Sequence, residues 1–261
     1  MEQNQRKKLE ERRKWLDHML EYMRPSKIVE FGCGSGFVLE ILSECFPKST
    51  IIGVDKSIER LDMVYDRKLK NVVPMKADFT QKIFPDKTFD TAIFVGSLHE
   101  VFSSVGRDKL RDTLAIVRDE LKDNGVAIIQ DFLKPNKKSV ALHFRNEQTK
   151  KIFSRFVREF IQSKVVFEEI KGGVKLDCAD AVEFISKYRS PTEEDWREEM
   201  EETHFFFSEQ EYKEMADKAG FAVEHVTKLS KSTAFWSEIE KDIDFQYPDD
   251  YLWIQLVLTK R

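Results

Sequence analysis

Val29-Glu30-Phe31-Gly32-Cys33-Gly34-Ser35-Gly36 decides the reading of this chain. It closes an apolar run, Ile28-Val29, and opens another, Phe37-Val38-Leu39 through Ile41-Leu42. That order is strand, glycine-rich turn, helix. Nineteen residues beyond Gly36 a second short apolar run, Ile51-Ile52-Gly53-Val54, ends in Asp55. Glycines let a backbone approach a ligand closely, and an acid at the next strand tip takes both hydroxyls of a ribose. A lone Gly-x-Gly-x-Gly would be weak; joined to Asp55 it forms a grip for a nucleoside.

Working outward, short apolar strands alternate with amphipathic helices from Lys27 to Phe132, which implies a parallel sheet covered on both faces. Strands are expected near 27–31, 50–54, 71–75, 89–95 and 125–130, and helices near 36–45, 57–68 and 106–121. Ligands in such sheets sit outside the carboxyl ends of the strands, where the strand order reverses. Glu30, Asp55, Asp78 and Ser97 all fall at those ends. Farther on, Ser208-Glu209-Gln210-Glu211 forms a capping box that starts a helix, and Gly220 is placed to end it. Phe221–Val226 and Leu252–Leu258 then read as an antiparallel pair closing the sheet.

Several of these stretches resemble class I S-adenosylmethionine-dependent methyltransferases. Glu30 to Gly36 is similar to the family's first motif, with its acid two residues before the first glycine, and Asp55 stands where the family binds the ribose. Ala77-Asp78-Phe79 resembles the adenine-contacting segment. Phe89 to Glu100 resembles the fourth strand and following loop, and Leu121 to Ile129 the turn into the fifth. The likeness covers roughly residues 25–132 and returns at 208–261. It implies a Rossmann-like, doubly wound, mostly parallel seven-stranded α/β sheet with an antiparallel C-terminal strand. It also implies S-adenosylmethionine as the donor, with S-adenosylhomocysteine as product. Gly32, Gly34 and Gly36 would pass against the methionine part and the ribose. Asp78 would accept from the adenine amino group while Phe79 lies on the ring, and Ser97 stands at the same edge. Glu30 either binds the donor's amino group or braces the glycine turn.

The composition is that of a globular protein with one large α/β domain plus an embellishment: 261 residues, net charge −4. No apolar run approaches the roughly 18 residues of a membrane helix. Cys33, Cys45 and Cys178 have no metal-like spacing, and their odd count reads as reduced thiols in a cytoplasmic protein. The weak net charge gives no global attraction to nucleic acid. Residues 134–175 are locally basic and 177–202 locally acidic, two solvated surfaces that face each other in the simplest reading.

Three parts are expected. Residues 1–24 form a docking helix, apolar at Leu9, Leu16, Met19, Leu20 and Met23, which Pro25 ends. Residues 25–132 and 206–261 form the core. Residues 133–205 form a mainly helical insertion after the fifth strand, too long to be a loop. Within it Ile152, Phe153, Phe156, Val157, Phe160 and Ile161 recur at helical spacing, and a second helix begins near Thr192. The resemblance implies that an insertion here covers the active site; its long polar connections and Gly172-Gly173 supply places to hinge.

Methyl transfer from a sulfonium is a direct displacement in which the protein chiefly aligns the reactants. No metal-ligand spacing appears. His99 sits where an acceptor would meet the methyl group. It either removes a proton from a hydroxyl or amine as the catalytic base, or begins the helix and packs against it. His143 and His204 are weaker candidates. The expected acceptor is a small molecule, at oxygen or nitrogen. The alternative is RNA or a phosphorylated acceptor held by 134–175. A nicotinamide oxidoreductase and a non-catalytic adenosylmethionine-binding protein are further readings, the first opposed by the antiparallel C-terminal pair.

Overall fold

A computed structural model describes residues 16–230 and 233–261. Seven strands form one sheet in the order β3-β2-β1-β4-β5-β11-β9. They are β1 (Lys27–Phe31), β2 (Thr50–Asp55), β3 (Val72–Lys76), β4 (Phe89–Val95), β5 (Leu121–Phe132), β9 (Phe221–Leu229) and β11 (Trp253–Lys260). The first five run parallel; β11 pairs antiparallel with both β5 and β9. The expected closing pair is therefore present. Ile93 and Phe94 of β4 point to opposite faces and are both fully buried, as a strand covered on both sides requires. The strand order reverses between β1 and β4, which opens the crevice at their carboxyl ends.

Helix α2 (Phe37–Cys45) follows the glycine turn and α3 (Ile58–Asp66) follows Asp55, its start capped by the Ser57 hydroxyl. Helix α4 (Leu98–Glu120) begins earlier than the period of its apolar residues suggested. Gly106, at φ 77°, divides it, and only the second segment matches the expected 106–121. The first segment carries His99, Glu100, Ser103 and Ser104 along the crevice. The capping box of α8 (Glu209–Lys218) is complete, and Gly220 follows its end at φ 83°.

The described N-terminal residues begin in a short helix, α1 (16–20), whose Leu16 and Met19 are buried against Ile28, Leu39 and Val257. Thr91 of β4 then pins the chain by accepting from the Arg24 N–H and donating to its carbonyl, both at 2.8 Å. Leu9 and the basic residues at 6–14 lie outside the described residues.

The insertion does hold the expected helices, α5 (Glu147–Glu159) and α7 (Glu193–Met200, capped by Thr192), with α6 (Cys178–Lys187) between them. It also holds strands that the apolar spacing concealed. β6 (Ser139–Phe144), β7 (Phe167–Ile170) and β8 (Gly173–Asp177) form a second, antiparallel sheet. Its fourth strand, β10 (Ile243–Asp244), comes from the connection between β9 and β11, after α9 (Thr233–Ile239). The second layer thus draws on two distant segments. Gly172 and Gly173 lie at the tight β7–β8 turn, and a Cβ on Gly173 would fall 1.9 Å from the Leu142 carbonyl oxygen. The pair serves close strand packing at that turn, not a joint between insertion and core. The run Phe205-Phe206-Phe207 stitches the layers, Phe205 entering the insertion's core and the other two the main one.

Candidate active site

The glycine turn is tied to β2. Gly32 and Cys33 donate to the Val54 carbonyl at 2.8 and 3.0 Å, and Gly34 donates to Asp55 Oδ2 at 2.8 Å. Asp55 Oδ1 accepts from the Ser57 N–H at 2.9 Å. Each carboxylate oxygen retains a lone pair, so Asp55 supports the turn and still has acceptors to offer. Gly32 adopts φ 73°, and a Cβ there would lie 2.5 Å from the Ser97 Cβ. Ser97 donates its hydroxyl proton to the Phe31 carbonyl at 2.8 Å, so it braces the turn from the β4 side.

Next to the turn lies a chamber of about 190 Å³, lined by Gly32, Asp55, Asp78, Phe79, Ser97 and Glu100 among others. Phe79 packs its ring on Phe31 and Phe94, at centroid distances of 5.4 and 6.0 Å. Asp78 accepts from the Thr80 N–H through one oxygen and is otherwise exposed. Glu30, at the end of β1, is buried with Oε2 lacking a hydrogen-bond partner among the described residues, and burial together with the Asp55 charge holds its pKa well above its ordinary value. Such an orphan is a group awaiting a donor. The residues therefore fit S-adenosylmethionine: a cradle without side chains, free acceptor positions on Asp55 and Asp78, and an unpartnered acid. Burial, aided by the charges of Glu30 and Asp55, raises the Cys33 thiol pKa far above its usual value, so Cys33 stays protonated and fills the turn.

A second chamber of about 560 Å³ shares Asp55, Lys56, Glu100 and Ser104 with the first. Its far wall is the end of α7, with Glu198, Glu201 and Glu202.

Beside this wall the sheet edge carries a buried polar cluster. His99 is 5 % exposed and its Nδ1 lies 2.8 Å from Asp131 Oδ1. Asp131 is fully buried at the end of β5 and also accepts from the N–H groups of Leu98, His99 and Phe132. Four contacts to one carboxylate hold the imidazole's position. Burial alone would lower the His99 pKa, but the charge and hydrogen bond of Asp131 outweigh it, and the net direction is upward. The His204 ring meets the His99 ring edge-on at a centroid distance of 4.9 Å and stacks on Phe132 at 4.5 Å. Its Nδ1 lies 2.9 Å from Ser186 Oγ and its Nε2 3.2 Å from Glu199. For His204 burial dominates, helped by the Lys187 charge, and the pKa falls. Glu199 is driven down to about 2: burial opposes this, but His204 and Lys187 prevail.

The structure thus brings His99, Asp55, Asp78, Phe79, Ser97 and the three glycines to one edge. His143 pairs within the second sheet, and His18 and His225 are exposed. Asp131, Glu202 and His204 escaped attention as partners of His99. Asp131 carried a legible signal, an acid at a strand tip like Asp55. The approach of His204 had none, because the insertion's path back to α4 sets it.

Sheet order and edge together define a class I S-adenosylmethionine-dependent methyltransferase. The chain belongs to the methyltransferase domain family, whose model matches residues 3–226. No curated protein matches it. Among solved structures it is similar to an S-adenosylmethionine-dependent methyltransferase from Mesorhizobium loti, with 16 % identity over 94 % of this chain and 95 % of that one, TM-score 0.58. A methyltransferase from Methanosarcina mazei gives 15 %, 93 %, 96 % and 0.55 in the same order. The 1,6-didemethyltoxoflavin-N1-methyltransferase of Burkholderia thailandensis, with bound S-adenosylhomocysteine, gives 13 %, 94 %, 74 % and 0.52. At these identities the likeness is one of fold. No helix among the described residues is long and apolar enough to cross a membrane.

Proposed function

We propose that the protein transfers a methyl group from S-adenosylmethionine to an oxygen or nitrogen of a small molecule seated in the larger chamber. The donor supplies a methyl already activated on a sulfonium, so the chain's tasks are alignment and the removal of one proton. Asp55 binds the ribose hydroxyls, Asp78 and Phe79 the adenine, and Glu30 the amino group. Gly32, Gly34 and Gly36 keep the cradle open, with Ser97 bracing it.

The observation that carries the reading is the buried His99–Asp131 pair, next in the chain to Glu100, which lines both chambers. A carboxylate on Nδ1 keeps the proton on that nitrogen and leaves Nε2 as the base. The Burkholderia enzyme, whose acceptor is a small molecule, supports this class of substrate. The basic stretch at 134–175 offers less to RNA. Among the described residues none of its lysines or arginines lines either chamber, where it contributes only Ile161 and Gln162, and Arg155 is bound to Glu159 and Glu193. The odd count of three cysteines, without metal-like spacing, supports a reducing compartment such as the cytoplasm.

The test is calorimetry with adenosylhomocysteine and NADH, combined with methyl-transfer assays of wild type and His99→Gln. The expected result is binding of adenosylhomocysteine alone, with donor affinity kept in the variant and turnover cut by about a hundredfold or more. Binding of NADH alone would overturn the donor assignment, and full activity in the variant would reduce His99 to packing.

A further inference from the structure

The larger chamber carries more negative charge than donor binding accounts for. Glu198 and Glu201 near the end of α7, Glu202 just beyond them, and Glu100 on α4 all line it. Among the described residues no salt bridge or side-chain hydrogen bond reaches any of these four carboxylates. Their neighbours differ: Glu193 is bound to Arg155, and Glu199 to Lys187 and His204. Lys56 and Arg60 lie along the opposite wall beside Asp55 and are exposed.

A second observation concerns His99. Its Nδ1 is taken by Asp131, no hydrogen bond reaches its Nε2 among the described residues, and a ring nitrogen lies within 4.8 Å of a Glu202 carboxylate oxygen. The buried base and the acidic wall therefore converge on one place. The acids of this chamber outnumber its two cations, Lys56 and Arg60; like charges so gathered oppose one another, and a cation supplied from outside relieves that. Burial raises the pKa of Glu100 against the pull of His99, Arg60 and Lys56, and burial with the Glu100 charge raises that of Glu202.

On these grounds, and resting on the methyl-transfer reading above, we infer that the acceptor is a small organic amine, bound as its ammonium by the Glu198–Glu202 wall and methylated on that nitrogen. One N–H proton passes to His99 Nε2. The freed nitrogen lone pair forms the N–C bond as the methyl–sulfur bond breaks, and the electron pair of that bond stays on sulfur. The positive charge lost by the sulfonium reappears on the product ammonium and on His99 in place of the charge the substrate brought.

The experiment offers the protein S-adenosylmethionine with alkyl and arylalkyl amines, the alcohols and carboxylates of the same skeletons, and ribonucleoside monophosphates. Products are read by mass spectrometry. The companion variant is the triple Glu198→Gln, Glu201→Gln, Glu202→Gln, assayed for adenosylhomocysteine affinity, KM and kcat. The expected result is methylated product in the amine set alone, with the triple variant raising KM on the order of tenfold or more. Adenosylhomocysteine affinity should stay at the wild-type value, which also shows that the variant is folded. Product from the alcohols, carboxylates or phosphates instead, no amine product despite intact adenosylhomocysteine binding, or an unchanged KM would each overturn the inference. Turnover abolished by a chelator and restored by magnesium would do so too, by giving the carboxylates to a metal ion. Loss of adenosylhomocysteine binding in the wild type would strike the methyl-transfer reading instead.

Discussion

The two walls of the larger chamber, 55–60 and 198–202, are held by different forces. The first is backbone-built: Asp55 ends a parallel strand, ties the glycine turn to β2 and leads into a capped helix. Its geometry follows from local chain conformation and a sheet ladder. The second hangs on charge. Lys187 is fully buried, 2.9 Å from Glu199 and 3.5 Å from Glu183, and Glu183 in turn accepts from the N–H groups of His204 and Phe205. A wall of the first kind is rigid by construction, whereas one of the second kind stands only while a few ionic contacts hold. The donor needs a fixed cradle, while the acceptor must enter and leave.

Lys187→Met is the most severe way to break that comparison. Removing one partner of a buried ionic group leaves the others uncompensated, at a cost of about 3–5 kcal/mol. Urea unfolding should show this loss, while the protein that remains folded binds adenosylhomocysteine normally. Equal stability in variant and wild type would mean the wall is held by its apolar side chains, Trp196 and Met200 among them.

Asp131→Asn tests the joint between the walls. The His99 pKa stands above its ordinary value, so turnover should rise with pH through that raised value and then level off. A raised folded-state pKa also means that His99's contribution to stability is fully present below about pH 6.5, the unfolded value, and is lost as pH rises through the folded one. Activity and this part of the stability therefore move in opposite directions across one window. The variant should shift the activity midpoint to lower pH, flatten the stability slope and cost roughly a hundredfold in turnover. An unmoved midpoint would separate the pH dependence from His99.

Asp55→Ala strikes the backbone-built wall. Loss of a charged acceptor costs about 1.5–3 kcal/mol, or roughly ten- to a hundredfold in affinity, for adenosylmethionine and adenosylhomocysteine alike. Calorimetry that finds the two ligands affected unequally would point to a contact beyond the ribose.

The gentlest measurement is hydrogen exchange. The 133–205 segment should gain protection when adenosylhomocysteine and an acceptor are both present, with the gain concentrated near 198–204 and little change in β1, β2 and β4. Uniform protection in free and bound protein would make the insertion a fixed scaffold.

Much of the first wall could be read directly from the chain. The apolar runs ending in Glu30 and Asp55, the glycines between them, the capping box at Ser208 and the closing pair are local patterns, and each signals its structure through nearest neighbours. The second sheet was not legible, because its strands β6, β7 and β8 are short and half-exposed and the fourth, β10, arrives from about a hundred residues away in sequence. Periodicity reports which face of an element is buried; it does not report what covers that face.

The sequence by itself determined the class of fold and the sheet edge where Glu30, Asp55 and the glycine turn gather, because a glycine turn and an acid at a strand tip act within a few residues of where they are written. Only the tertiary structure decided that His99 rests on Asp131, that His204 closes against it, and that four glutamates without an ion pair among the described residues line one chamber. Those groups come from β5, α4 and the far end of an insertion. Their charges interact through space at a few ångströms, a distance that no spacing along the chain encodes.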